Sequence, residues 1–155
     1  MKSDGPRNRI VRSIATIGVV FAAMGTAWMF RNRRLFTVTD VTTGETPEYP
    51  ELRAHVYFAT PDEAATAVRA IMDELPSWRF VGSFDENRKV VAEVESSFGT
   101  FLSDVTVTLH SMGDRHLRAV IQSTSRPNCG KGDLGENAKF IAQLQTAMDA
   151  RLVGG

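Results

Sequence analysis

Residues 10–34 read IVRSIATIGVVFAAMGTAWMFRNRR, and the reading of this stretch decides the architecture of everything behind it. Residues 14–30 hold no charge. As a helix they would extend roughly 26 Å, close to the ~30 Å hydrocarbon core of a bilayer. Arg12 and Arg31 bracket the run, placed to send their guanidinium groups to the headgroup layers, and Trp28 stands where an interfacial aromatic belongs. A cleaved secretory signal also begins basic and turns apolar, but its apolar stretch is shorter and basic residues rarely follow it as closely as Arg31, Arg33 and Arg34 do. The expectation is a single transmembrane helix over 10–34 behind a basic cytoplasmic tail at 1–9. A linker at 35–50 and a soluble α+β domain at 51–155 would follow.

The expected helix has two unlike sides. Ala15, Gly18, Ala22 and Gly25 recur at helical spacing and form a small-residue packing face, which lets a second helix approach closely in lipid. Ile17, Phe21, Met24 and Trp28 make the bulky side. Lys2, Arg7, Arg9 and Arg12 precede the apolar run and three arginines follow it, a small excess that predicts an N-terminus inside and a periplasmic domain at the inner membrane.

Charge is distributed unevenly. The chain has 18 basic and 18 acidic residues; residues 1–34 hold 7 of the former and 1 of the latter, leaving 11 basic against 17 acidic in 35–155. An acidic domain argues against nucleic acid as a partner. The basic cluster suits anionic lipid headgroups instead. A lone cysteine, Cys129, excludes an internal disulfide.

Further along, LFTVTDV at 35–41 has the pattern of a short strand and TGETPEYP at 43–50 is turn chemistry. Leu52, Val56 and Phe58 alternate as a strand. Thr60, Pro61 and Glu63 announce a helix by capping box and first-turn proline, and Ala64, Val68, Ile71, Met72 and Leu75 give it one apolar stripe. Four alternating stretches follow. Their inward sets are Trp78/Phe80/Gly82/Phe84, Val90/Ala92/Val94, Val105/Val107/Leu109 and Leu117/Ala119/Ile121. A last helix carries Ile141, Leu144, Met148 and Leu152 on one side. The order β-α-β-β-β-β-α predicts an antiparallel sheet with two helices on one face.

Between the last strand and last helix lies Ser123-Thr-Ser125-Arg126-Pro-Asn-Cys129-Gly130-Lys131-Gly132-Asp133-Leu134-Gly135-Glu136-Asn137-Ala-Lys139-Phe-Ile141. Its serine-rich strand end, Ser-Arg pair, glycine and basic loop and Asp-Leu-Gly-x-Asn turn resemble the Domain of Unknown Function 1499 family of bacterial and plastid proteins. The chain departs from that pattern in a longer loop at 127–129 and in Phe140, where a second basic residue is usual. The resemblance covers roughly residues 50–152. It implies a fold and a site, but no reaction. Its plastid members point to a photosynthetic or other energy-transducing assembly.

Two readings of this loop stand side by side. Ser125, Arg126, Lys131, Asp133, Asn137 and Lys139 can gather an anion or a partner at a helix N-terminus. Alternatively, Asp133 caps the last helix, Asn137 ties back to Ser125 or Arg126, and an Arg126–Asp133 ion pair clamps helix to sheet. Phe98, Phe101 and Leu102 form a possible exposed contact loop upstream.

Signs of chemistry are sparse. His110 and His116 flank one hairpin, His55 is alone on its strand, Glu93 and Glu95 share a strand face, and Cys129 has Lys131 but no histidine nearby in sequence. No catalytic residue, metal site or cofactor is expected. The expected function is that of a non-catalytic accessory subunit of a larger membrane complex, with membrane lipid and other membrane-protein subunits as partners. A membrane-tethered binding module for a small anion, lipid headgroup or pigment at the 125–137 loop is the alternative.

Overall fold

The computed structural model describes residues 22–97, 101–126 and 132–152. The chain falls into two compact units divided between Arg33 and Arg34. In the first, helix α1 occupies 22–31, and both the backbone N–H and the side-chain amide of Asn32 donate to the Trp28 carbonyl at 2.9 Å, closing its last turn. The ten described helical residues span about 15 Å. Among the described residues no helix is long and apolar enough to cross a membrane, which corrects the fold class expected from residues 10–34 and the single-pass reading with it. The chain turns at Asn32 and Arg33 before α2 (Arg34–Thr37) begins. Of the expected packing face, Ala22 and Gly25 are exposed on α1, and a Cβ added at Gly25 would meet nothing within 4 Å. Ala15 and Gly18 lie outside the described residues.

The second unit is a six-stranded antiparallel sheet with helices. Strands β3 (Trp78–Phe84), β4 (Lys89–Glu95), β5 (Leu102–Ser111) and β6 (His116–Ser125) follow one another as a meander. Their sets Val90/Ala92/Val94, Val105/Val107/Leu109 and Leu117/Ala119/Ile121 are all buried, as period-two alternation requires when one face is covered. Helices α3 (Pro61–Glu74) and α4 (Glu136–Arg151) cover that face and touch each other. Val68, Ile71 and Met72 from α3 and Ile141, Leu144 and Met148 from α4 complete the core. Thr60 starts α3 by the expected capping box: Glu63 N–H donates to Thr60 Oγ1 at 3.3 Å, and Thr60 N–H donates to Glu63 Oε2 at 2.8 Å.

Three sequence expectations are corrected in this unit. In β3 the register against β4 shifts between Phe80 and Gly82, so Val81 is a bulge. Beyond it Gly82 faces Val91 and Phe84 faces Lys89, which puts the Phe84 ring on the open side, 3.1 Å from where a Cβ on Gly82 would sit. Phe84 is therefore not a core residue; it covers a glycine on an edge strand. In β2 (His55–Phe58) the buried side chain is Tyr57, while Phe58 is exposed and Val56 half-buried, the reverse of the expected face. Tyr57 wins that place because its hydroxyl finds Asp149 Oδ1 at 2.7 Å at the border of the core.

The third concerns 35–50, where of the two readings, linker or edge segment with a short strand, the structure has the edge segment. Val38, Val41, Thr43 and Tyr49 are buried there, and β1 (Asp40–Thr42) pairs with β6. β1 and β2 both run antiparallel to β6, end to end. Carrying the register on from Thr42↔Gln122 sets residue 44 opposite 120, and β2 resumes with His55 opposite Ala119. Residues 45–54 are thus a ten-residue excursion from one interrupted edge strand. Gly44, at φ +77°, closes it by donating to the Leu52 carbonyl at 2.7 Å, and Gln145 of α4 donates to the Arg53 carbonyl at 2.6 Å.

Candidate functional site

Three segments meet where β6 ends: 34–43, 123–126 and 132–139. Gly132, Leu134 and Gly135 all take positive φ, at 79°, 56° and 82°, bending the chain into α4. The turn is held by Asp133, whose Oδ1 accepts from Gly135 N–H at 2.8 Å and Oδ2 from Asn137 N–H at 2.9 Å. The N-cap position belongs to Gly135 and not to Asp133, which serves the helix N–H groups from two residues upstream. Asp133 is fully buried. Burial raises its carboxyl above the usual range, against the hydrogen bonds from Asn137 and Gly135 that pull it down.

Asn137 is the hub. Its side-chain amide donates to the Thr39 carbonyl and to Ser125 Oγ, both at 2.9 Å, and its Oδ1 accepts from Ser123 Oγ at 2.6 Å. Every hydrogen of that amide has a partner in a place no water reaches. The backbone adds two cross-links: Asp133 N–H to the Val38 carbonyl at 3.2 Å and Leu134 N–H to the Leu35 carbonyl at 2.8 Å.

The remaining residues of the expected site diverge from this hub. Arg126 does not meet Asp133; its guanidinium lies 3.2 Å from Asp104 Oδ1 and also against Glu93, which Arg79 contacts from the other side. The cross-strand register Arg79↔Glu93↔Asp104↔Thr124 sets these groups in one row on the sheet face that no described helix of this unit covers, and this register overrides the nearer sequence neighbour. Lys139 reaches Ser97 Oγ at 3.0 Å and Glu136 Oε1 at 3.2 Å. Glu136 Oε2 accepts from Ser97 N–H at 3.0 Å, pinning the loop after β4 to α4. Burial pushes the Glu136 carboxyl upward, but its bonds to Ser97 and Lys139 outweigh that and leave it below the usual range. Lys131 and Cys129 lie outside the described residues, as does Phe98; Phe101 is half-buried and Leu102 is exposed at the rim. Phe140 is buried edge-on against Trp78 with ring centroids 6.1 Å apart.

The uncovered face has a neutral centre. Val91 and Thr106 face each other, with Gln122 and Thr42 continuing that row, and Thr108 pairs with Val120 beside it. The ion row borders this centre and ends at Asp40, which accepts from Thr124 Oγ1 at 2.8 Å and from Gln122 Nε2 at 3.1 Å.

A further cluster was not legible in sequence. His55 Nδ1 lies 2.9 Å from Asp149 Oδ1, the same oxygen that accepts from the Tyr57 hydroxyl, so β2 is fastened to the end of α4 across 92 and 94 residues of chain. Two alternating strand residues and a helix residue so far away carry no local signal. Burial pulls the Asp149 carboxyl up, but the hydrogen bonds from His55 and Tyr57 prevail and hold it below the usual range. A depressed carboxyl contributes stability above its unfolded pKa of about 4 and loses it as pH falls through the lower folded value. Acid titration of Asp149→Asn is accordingly expected to show a shallower loss of stability below about pH 4 than the parent chain, read by circular dichroism in urea. An unchanged slope would show that the contact carries no linkage.

Among the described residues no group of three or more His, Cys, Asp and Glu is placed to hold a metal ion. His110 faces Arg118 across the hairpin, and His116 packs edge-on against Phe58, so the two histidines do not pair.

No curated protein matches this chain. A family model described as a protein of unknown function (DUF1499) matches residues 29–148 of the 155, a span that takes in β1, the excursion and the hub. The chain belongs to the DUF1499 family of proteins of unknown function.

Proposed function

We propose that this chain is a non-catalytic accessory subunit whose uncovered sheet face packs against a folded partner protein in a larger assembly. The observation that carries the reading is the arrangement of that face. A centre of β-branched Val91, Thr106, Thr108 and Val120 is bordered by the row of Arg79, Glu93, Arg126, Asp104 and Asp40. Neutral centre and charged rim is the anatomy of a protein interface. Five strands abreast and seven residues long present on the order of 600 Å². Each partner in a standard interface contributes about 800 Å², a comparable area. Among the described residues Asp40 meets only Gln122 and Thr124, so the matching surface should bring a lysine or arginine to that end.

An anion site in the 125–137 loop finds less support. Arg126 is engaged with Asp104 and Glu93, Lys139 with Glu136, and Asp133 brings negative charge to the helix end.

The test is blue-native electrophoresis of a gentle extract, followed by mass spectrometry of the band. The expected result is co-migration with a stoichiometric partner, well above the chain's own 17.1 kDa. Val91→Glu and Thr106→Lys should each release the chain from that band while its melting temperature moves by only a few degrees. Migration of the parent chain alone, or only with a second copy of itself, overturns the proposal.

A further inference from the structure

The edge-strand excursion at 45–54 encloses a cleft of about 540 Å³ against β6, and the charges around it are unusual for this domain. Among the described residues from 34 onward, Arg34, Arg69, Arg79, Arg115, Arg126 and Arg151 each meet a carboxylate. Arg53, Arg88 and Arg118 do not, although residues 35–155 carry 17 acidic side chains against 11 basic ones. In such an acidic domain an exposed guanidinium readily finds a carboxylate. Two of the three that have none line the same cleft, Arg53 from the end of the excursion and Arg118 from β6.

The rest of the lining narrows the ligand. Among the described residues Glu45 is the only carboxylate lining the cleft, so Arg53, Arg118 and Glu45 together leave one net positive charge there. Thr46 Oγ1 already accepts from Thr42 N–H at 2.8 Å, which leaves its hydroxyl hydrogen free to donate into the cleft. Pro47 and Pro50 supply an apolar wall with restricted backbone. A volume of this size is within the ~300–1,000 Å³ range of small-molecule sites.

From these residues we infer a binding site for a small organic monoanion: a carboxylate held by Arg53 and Arg118, carrying a hydroxyl that donates to Glu45. Guanidinium groups match a carboxylate through paired, parallel N–H bonds, which a lysine does not provide. Glu45 repels a bare anion but accepts from a hydroxyl, so the site discriminates a hydroxy acid from a simple one. This inference goes beyond the accessory role proposed above: the cleft is built by the excursion and the first residues of β6.

The test uses the full chain, labelled with ¹⁵N, titrated at constant ionic strength with sodium gluconate, sodium acetate, inorganic phosphate or sodium chloride. The expected result is saturable shifts of the Gly44 and Thr46 amides with gluconate, and at least tenfold weaker binding of acetate. Arg53→Gln and Arg118→Gln should each weaken gluconate tenfold or more with little change in melting temperature, because neither side chain has a partner among the described residues to lose. Glu45→Gln should strengthen acetate and narrow its gap to gluconate. Equal, non-saturating shifts with all four salts overturn the site, as does gluconate binding that survives both arginine substitutions. Tighter binding of phosphate than of gluconate overturns the assignment of the ligand as a carboxylate.

Discussion

Asn137→Ala is expected to lower the stability of the domain by about 3 kcal/mol, seen as a fall in the urea midpoint with an unchanged slope. The substitution removes one side chain but strands several groups. The buried Ser125 Oγ loses a donor and the buried Ser123 Oγ its acceptor, while the part-buried Thr39 carbonyl loses one of two donors and keeps the Ser125 N–H at 2.9 Å. Each stranded buried polar group costs roughly 1–3 kcal/mol, and the void left by the amide adds to that. Relaxation and a weak Ser103–Ser125 contact at 3.5 Å recover part of the loss, which is why the estimate stays below the sum. Asn137→Asp separates hydrogen bonding from volume. It fills the same space but replaces the two donors with an acceptor beside the Asp133 carboxylate, so it should be at least as damaging near neutral pH and milder in acid. A loss below about 1 kcal/mol for the alanine variant would mean that the hub does not hold the three segments together.

Gly132→Ala is expected to be comparably severe, for a different reason. A Cβ at this position would lie 2.3 Å from the Phe36 backbone carbon and 2.6 Å from the Phe36 oxygen, and the residue sits at φ +79°. Backbone cannot swing aside as a side chain does. The left-handed conformation alone costs a non-glycine residue roughly 1–2 kcal/mol, and the overlap must be relieved by moving either 34–39 or the turn into α4. A total of about 3–4 kcal/mol is expected, in the range of changes that strain a special backbone position. Hydrogen exchange gives the sharper readout. Asp133 and Leu134 amides donate to Val38 and Leu35 carbonyls, so both should lose protection if 34–39 is displaced. Retained protection at both amides would show that the close approach to Phe36 is accommodated without parting the segments.

Both predictions concern a contact between residues 34–39 and 132–137 that sequence reasoning only half captured. The tie from Asn137 to Ser125 was legible, because an Asp-Leu-Gly-x-Asn turn next to a serine-rich strand end places capping and amide chemistry together. The tie to Thr39 was not, since nothing in LFTVTDV says that its carbonyls serve a loop nearly a hundred residues later. Arg126 shows the same limit. Asp133 is seven residues away in sequence and looks like its natural partner, yet strand register delivers Glu93 and Asp104 to it instead. The bulge at Val81 adds one residue to β3 and turns every side chain after it to the other face, so simple alternation misplaced Phe84. The membrane-spanning reading is corrected on length, since no helix among the described residues is long and apolar enough to cross a membrane. The seventeen residues 14–30 measure apolar length, whereas the described helical residues are 22–31.

Periodicity and capping are local: Thr60 with Glu63, the stripes of α3 and α4 and the alternation of β4 to β6 need no more than a turn or two of neighbouring chain, so the residues themselves specify them. The cleft at 45–54, the ion row on the open face and the Asn137 hub each join residues from strands or helices far apart in the chain. Their partners are chosen by strand register and by which backbone comes within about 3 Å of a buried polar atom. Those distances exist only once the sheet has assembled, and so they belong to the tertiary structure alone.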